Sequence, residues 1–314
     1  MGVDGMKSLL GNKSLMADLS LLIVTIIWGS GFVATKNALD TVSPFSIMTL
    51  RFTLACILMC LIFFKHIIKI NKSDIKAGCI IGFFLFMGFA TQTVGLQYTT
   101  AGKQAFLTGT NVVMVPFIYW GVSGKRPDIY NLISAFLCLL GIFLLTFDGT
   151  LNINLGDILT LICALFFACH VVSVGYFAEK HDPIILTSLQ FLVAAILSLI
   201  SMFIFEGAPG SLSKNGIIPV LYLAIFSTLI AFLIQNVAQK YTTSTHTAII
   251  LSLEAVFGSI LSSLLLGESF TYKMLIGCTI ILIAIITAET KLEFLKVNKE
   301  KLSSKKELPE ELEA

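Results

Sequence analysis

Apolar runs of about 20 residues, the length a helix needs to cross a hydrocarbon core, recur ten times along this chain, with short polar segments between them. They cover 17–38, 44–64, 75–98, 100–122, 127–147, 156–178, 183–205, 217–240, 243–266 and 270–289. The pattern predicts an all-α integral membrane protein of ten transmembrane helices. The first run lacks a small-residue cleavage site followed by a soluble mature domain, so it reads as a retained helix rather than a signal peptide.

The same pattern occurs twice. Residues 83–142 align with 226–285 without a gap, and the shared positions include Phe83 and Phe226, Gln92 and Gln235, Val94 and Val237, Tyr98 and Tyr241, and Gly124 and Gly267. The constant offset is 226 − 83 = 143, and Thr99-Thr100 recurs at that offset as Thr242-Thr243. Upstream, an offset of 183 − 44 = 139 pairs Pro44 with Pro183, Leu22 with Leu161, Phe52 with Phe191 and Ala55 with Ala194. The slip of four residues falls in the loop near Gly207 to Gly216. A duplicated helical unit is the mark of a repeat architecture.

Composition excludes a soluble globular domain: 56% of residues are hydrophobic, 13% are charged, and the mean hydropathy is +0.91. All seven cysteines fall inside apolar runs and their number is odd. They read as small packing residues rather than a disulfide framework.

The positions of the charges add a direction. With the N-terminus in the cytoplasm, sixteen of the 21 Lys and Arg residues fall in cytoplasmic segments. Four fall at outer ends (Lys36, Lys103, Lys214, Lys273), and Arg51 lies within a run. This positive-inside bias puts both termini in the cytoplasm, and the expected location is a bacterial cytoplasmic membrane. Five spans per half is an odd number, so the second copy enters from the opposite side. The expected layout is a cytoplasmic N-terminus (1–16), a first five-helix repeat (17–147), an outer linker (148–155), an inverted second repeat (156–290) and a cytoplasmic, disordered tail (291–314). Two inverted units can open alternately to either side, which is a transporter's architecture.

Several stretches resemble the EamA-like branch of the drug/metabolite transporter superfamily. They are Trp28-Gly29-Ser30 with Phe32 and Lys36, Arg51-Phe52, Leu96-Gln97-Tyr98-Thr99-Thr100-Ala101-Gly102, and Leu264-Leu265-Leu266-Gly267-Glu268. The resemblance covers nearly the whole chain and both halves. It implies a ten-helix basket around a central substrate cavity, and export or uptake of small metabolites such as amino acids. Where the family often has Glu-Pro in the ninth span, this chain has Glu254-Ala255, which removes a proline expected to break that helix.

Ionisable residues at membrane depth are costly and mark functional sites. Glu254 sits midway along the ninth run with Asn111 equivalent to it in the fourth. Glu254 reads either as a proton- or cation-coupling carboxylate or as a residue bonded to a neighbouring helix. Arg51 either attracts an anionic group or pairs with Glu254 or backbone carbonyls to lock the fold. Lys36 snorkels to the interface or, as its match to the family implies, guards the cavity. Gln92 and Gln235 offer amides to a polar solute or bond helices together, and Asn236 adds a polar neighbour. His170 is a bonded packing residue or a proton relay. Trp28 is deep enough to line a cavity, and Ser30 sits in a Gly29-Ser30-Gly31 hinge. Lys103 and His246, equivalent in the repeat, read as interface residues.

No His-Glu-x-x-His, phosphate-binding loop or Cys/His ligand spacing occurs, so neither metal, nucleotide nor any other cofactor is called for. The expected partners are a small-molecule substrate, protons and the lipid bilayer, with no nucleic acid, in a monomer or homodimer. The leading reading is a secondary transporter working by alternating access, a proton-coupled exporter. Its alternatives are a facilitative uniporter or exchanger of another metabolite or drug-like cation, and a membrane receptor or scaffold. An enzyme is not expected, because a mid-span carboxylate stands alone.

Overall fold

The computed structural model describes residues 3–146, 154–207, 214–269 and 271–290. Most of the expected outer linker, the slip between the two offsets and the tail 291–314 lie outside the described residues. Those described form helices and no strand: α1 (Val3–Leu39), α2 (Pro44–Ile62), α3 (Phe64–Ile67), α4 (Lys72–Gly95), α5 (Ala101–Gly109), α6 (Asn111–Ser123) and α7 (Ile129–Thr146), then α8 (Leu155–Ala178), α9 (Pro183–Phe205), α10 (Lys214–Tyr222), a π-helical stretch (Leu223–Ile230), α11 (Ala231–Ala238), α12 (Ser244–Leu251), α13 (Leu253–Leu266) and α14 (Tyr272–Thr290). Eight helical segments among them are long and apolar enough to cross a bilayer, and 129–141 and 275–288 are shorter apolar stretches. This is the architecture of a multi-pass membrane protein. The structure adds the short α3 and the π-helical stretch to the elements expected from hydropathy.

Two long apolar segments are interrupted near their middle. α5 gives way to α6 at Thr110, and α12 to α13 at Ser252. At both sites a hydroxyl bonds back to the carbonyl three residues earlier, Thr110 Oγ1 to Leu107 and Ser252 Oγ to Ile249, at 2.7 and 2.6 Å. The backbone tightens with it: Thr110 N donates to Leu107 O and Ala255 N to Ser252 O, both at 3.2 Å. Serine and threonine compete for helix carbonyls in this way and bend helices without proline. The helix is therefore interrupted beside Glu254-Ala255 although the proline is absent.

Local geometry recurs at the 143-residue offset. Thr100 caps α5 by accepting from Lys103 N, and Thr243 caps α12 by accepting from His246 N, each at 3.2 Å. Gly124 and Gly267 end α6 and α13 with φ of 70° and 71°, the left-handed conformation that glycine adopts without Cβ strain.

α4 packs between α8 and α9, α2 lies along α9, and α1 runs against α13 and α11. α7 pairs with α14. Between α7 and α14, Ser134, Cys138 and Ala284 are fully buried, and Gly141 lies against Gly277 and Ile281. Phe52, Phe89, Phe191 and Phe232 form the aromatic centre of one core between α2, α4, α9 and α11.

Close backbone approach sets the α1–α13 contact. A Cβ on Gly29 would stand 2.7 Å from Phe257 Cβ and 2.8 Å from Gly258 N, whereas one on Gly121 would meet nothing within 4 Å. Gly29→Ala is therefore expected to destabilise the protein by about 1–3 kcal/mol, while Gly121→Ala is neutral or stabilising by about 0.5–1 kcal/mol. Thermal unfolding in detergent checks this; equal midpoints for the two variants would contradict it.

Candidate functional site

α1, α2, α4, α5, α6, α8, α11, α12 and α13 surround a cavity with about 630 Å³ of empty space, its mouth included. Trp28, Arg51, Gln92, Asn111, His170, Gln235 and Glu254 all line it. Gln104, Ser227, Phe89, Phe167 and Phe232 join them.

Arg51 is the most constrained of these groups. Its Nε donates to Thr228 Oγ1 at 2.9 Å and its Nη2 to Ser227 Oγ at 3.4 Å. Its guanidinium carbon lies 4.2 Å from the Phe89 ring centroid and 5.5 Å from that of Phe52, so cation–π attraction replaces part of its lost hydration. Only 2% of the residue is exposed, and among the described residues no carboxylate stands within ion-pair distance of it. The pairing of Arg51 with Glu254 or with backbone carbonyls, one of the two readings of its sequence position, is replaced by hydroxyls and aromatic faces.

The π-helical stretch makes this possible. Its wider turn disturbs the regular carbonyl ladder, and Ser227 O accepts from Trp28 Nε1 at 3.0 Å. One turn of backbone thus fixes Arg51 through two side chains and Trp28 through a carbonyl. The Trp28, Phe89, Phe167 and Phe232 rings meet at centroid distances of 4.9–5.9 Å and form an apolar wall.

Across the cavity, the interrupted helices place Asn111 as the first residue of α6 and Glu254 in the first turn of α13. Helix N-termini favour negative charge, which suits Glu254 at this depth. Glu254 is 6% exposed and has neither a hydrogen bond nor a cation at ion-pair distance among the described residues. Gln104 Nε2 donates to Gln92 O at 2.7 Å and leaves its own buried Oε1 unpartnered. Gln235 Nε2 donates to Gln239 Oε1 at 3.0 Å, and its Oε1 is likewise buried without a partner. His170 Nε2 lies 2.8 Å from Gln190 Oε1, which orients the ring beneath Phe232.

Three candidates lie elsewhere. Ser30 bonds to Tyr222 Oη and to Ile27 O on its own helix. Asn236 donates to Thr187 Oγ1 at 2.8 Å, joining α11 to α9. Lys36 donates to Leu96 O and Thr99 O, each at 2.9 Å, and so caps the end of α4. Their hydrogen bonds hold helices together, and none of the three lines the cavity. The sequence reading missed Ser227 and Thr228, whose repeat equivalents are the apolar Phe84 and Leu85. It also missed Gln104 and the three phenylalanines, which nothing in a greasy helix distinguishes from packing residues.

Polar closures sit at both ends of the helical bundle. At the end where α4, α9 and α12 begin, His66 Nδ1 lies 2.7 Å from Asp182 Oδ2, His181 Nδ1 2.6 Å from Asp74 Oδ1, and His246 Nε2 3.3 Å from Asp18 Oδ1. At the opposite end Lys103 Nζ lies 2.7 Å from Asp157 Oδ2. There Glu268 accepts from Ala101 N and Gly102 N, and Glu206 from Phe45 N and Ser46 N.

Comparison with known proteins places this arrangement among transporters. The EamA-like transporter family model matches residues 15–147 and again 154–289. An uncharacterized transporter of Archaeoglobus fulgidus is 38% identical over 276 residues, which span 88% of this chain and 86% of that protein. A protein of Salmonella typhimurium named a probable amino-acid metabolite efflux pump is 22% identical over 284 residues, spanning 83% and 90%. A solved crystal structure superposes with a TM-score of 0.73 at 17% identity, covering 88% of this chain and 97% of its own, which establishes a shared fold.

Because Lys36 caps carbonyls outside the cavity, Lys36→Met is expected to lower thermal stability by about 1–3 kcal/mol through the two carbonyls left buried. Solute affinity should stay within about twofold. A large rise in KM at unchanged stability would show instead that Lys36 reaches the solute.

Proposed function

The chain belongs to the EamA-like transporter family, and on that premise we propose that it is a secondary transporter of small zwitterionic metabolites of the amino-acid kind, working by alternating access. The observation that carries the reading is the pair of opposite charges, Arg51 and Glu254, that face one cavity with neither ion-paired among the described residues. A buried charge without compensation costs several kcal/mol. A solute with a carboxylate and an ammonium group compensates both at once. An anion alone leaves Glu254 unmatched, and a cation alone leaves Arg51 unmatched. The carboxylate takes the guanidinium N–H groups that Thr228 and Ser227 leave available. The ammonium takes Glu254, helped by the unpartnered carboxamide oxygens of Gln235 and Gln104, and an apolar side chain lies against Trp28, Phe89 and Phe232.

The duplicated caps at Thr100 and Thr243, the paired interruptions at Thr110 and Ser252, and the two successive family matches support ten spans arranged as two inverted five-helix units. The helix packing supports it too, since α1 meets α13 as α8 meets α5 and α6. With both termini cytoplasmic, exchange of conformation between the halves opens the cavity to one side and then the other. Glu254 is the group through which a proton couples to solute movement, because a proton and an ammonium compensate the same carboxylate.

Counterflow in proteoliposomes tests this with labelled amino acids, their amides and their N-acetyl derivatives. Exchange is expected for the zwitterions, with at least about a tenfold loss when either end is neutralised, the effect of about 1.4 kcal/mol. Glu254→Gln should abolish any dependence on a pH gradient. Flux of the amides or N-acetyl forms alone would refute the zwitterion, and absence of flux for every solute would refute transport.

A further inference from the structure

Lys103 and His246 stand 143 residues apart, and their carboxylate partners Asp157 and Asp18 stand 157 − 18 = 139 apart, which are the two offsets of the duplication. One contact is therefore built twice, between α5 and α8 at one end of the bundle and between α12 and α1 at the other. The two copies differ in chemistry. Lysine carries its charge throughout the physiological range, and imidazole gains and loses its charge within it.

The geometry follows that difference. Lys103 Nζ makes a hydrogen-bonded ion pair with Asp157 at 2.7 Å. Asp18 Oδ1 is buried and makes no hydrogen bond, although His246 Nε2 is 3.3 Å away. A neutral imidazole at that distance and alignment contributes little, whereas an imidazolium supplies the opposite charge that the carboxylate lacks.

We propose that His246 and Asp18 form a proton-dependent latch that closes one mouth of the protein, the counterpart of a permanent latch, Lys103–Asp157, at the other. Acid at the α12 end draws α12 onto α1 and holds that mouth shut, and alkali releases it. The opposite mouth is indifferent over the same range. Among the described side chains, the other charged groups at that end of the elements packed on α12 are Lys13 on α1, Lys125, Arg126 and Asp128 between α6 and α7, and Glu179 and Lys180 after α8; Lys240 follows α11. None of them stands within ion-pair distance of Asp18 among the described residues. His66–Asp182 and His181–Asp74 lie at the same end. The latch rests on the duplicated contact alone, so it stands or falls independently of which solute the cavity takes.

Hydrogen–deuterium exchange on the full chain in lipid nanodiscs tests it. Amide protection, corrected for intrinsic exchange, is compared at about pH 8 and about pH 5.5, either side of the ordinary imidazole value. In the wild type, protection at the start of α12 (residues 246–250) is expected to rise by about two- to fivefold in acid, the range that a partly exposed ion pair supports. The start of α5 should not change. His246→Lys should hold α12 protected at both pH values, and Lys103→His should transfer the acid response to α5. Asp18→Asn, which keeps the histidine and removes its partner's charge, should abolish the response at α12. A pH response at α12 that survives His246→Lys or Asp18→Asn would overturn the latch, as would a folded Lys103→His protein with no response at α5.

Discussion

A chain that crosses a bilayer must satisfy its backbone amides and carbonyls from within, because lipid offers no hydrogen bonds. Several local departures from the regular helix in this protein respect this limit. The hydroxyls of Thr110 and Ser252 bond the carbonyls that the interrupted ladder exposes. Trp28 takes the carbonyl released in the π-helical stretch. Lys36 takes two at the end of α4. Irregular backbone is thus confined to positions where a side chain of another turn or another helix can answer it, and those positions face the protein interior.

The charges follow the same economy. Arg51 is fixed by hydroxyls and aromatic faces rather than by a carboxylate, and Glu254 lines the same cavity without an ion-pair partner among the described residues. Had the two met directly, the ion pair would have filled the site and left no charge to recognise a solute. The π-helical stretch keeps them apart by presenting Ser227 and Thr228 on adjacent positions toward α2. The interruption at Ser252 puts Glu254 at a helix N-terminus, where the peptide dipoles favour its charge. Fold and site are therefore set by the same few residues, and removing the hydroxyl at 228 or 252 disturbs both.

The helices were legible because hydropathy over a span of about 20 residues is a strong signal; the expected run 183–205 and the observed α9 coincide. Interruptions within helices were less so. Nothing in Leu223–Ile230 marks a π turn, since it contains neither glycine nor proline; its Ser227 and Thr228 meet Arg51 and Trp28, residues distant in sequence. Proline was the wrong sign to look for at 254–255, because the helix is interrupted at Ser252, two residues earlier, without one. Glu254, Asn111 and Gln92, polar residues within apolar runs, line the cavity. The direction in which a side chain points was harder to read. Gln235 and Asn236 are neighbours at the same depth, yet successive helix positions differ by about 100°, and one faces the cavity while the other bonds α9. Lys36 matched the family at the sequence level and is spent on capping.

The duplication explains more through its differences than through its identities. Identical residues such as Thr100 and Thr243 keep the scaffold the same in both halves. At two of the positions where the halves differ, a neutral or permanently charged group in one stands opposite a titratable group in the other: Asn111 with Glu254, Lys103 with His246. Ser43 and Asp182, equivalent at the upstream offset, begin α2 and α9; the first is held by Glu206 and the second faces His66. A perfectly symmetric pair of inverted units would have equal energies open to either side and would respond equally to protons on both. In the proposed transport cycle, a titratable member in each pair breaks that equality at the centre and at one mouth, so that proton concentration acts on the balance between the two conformations.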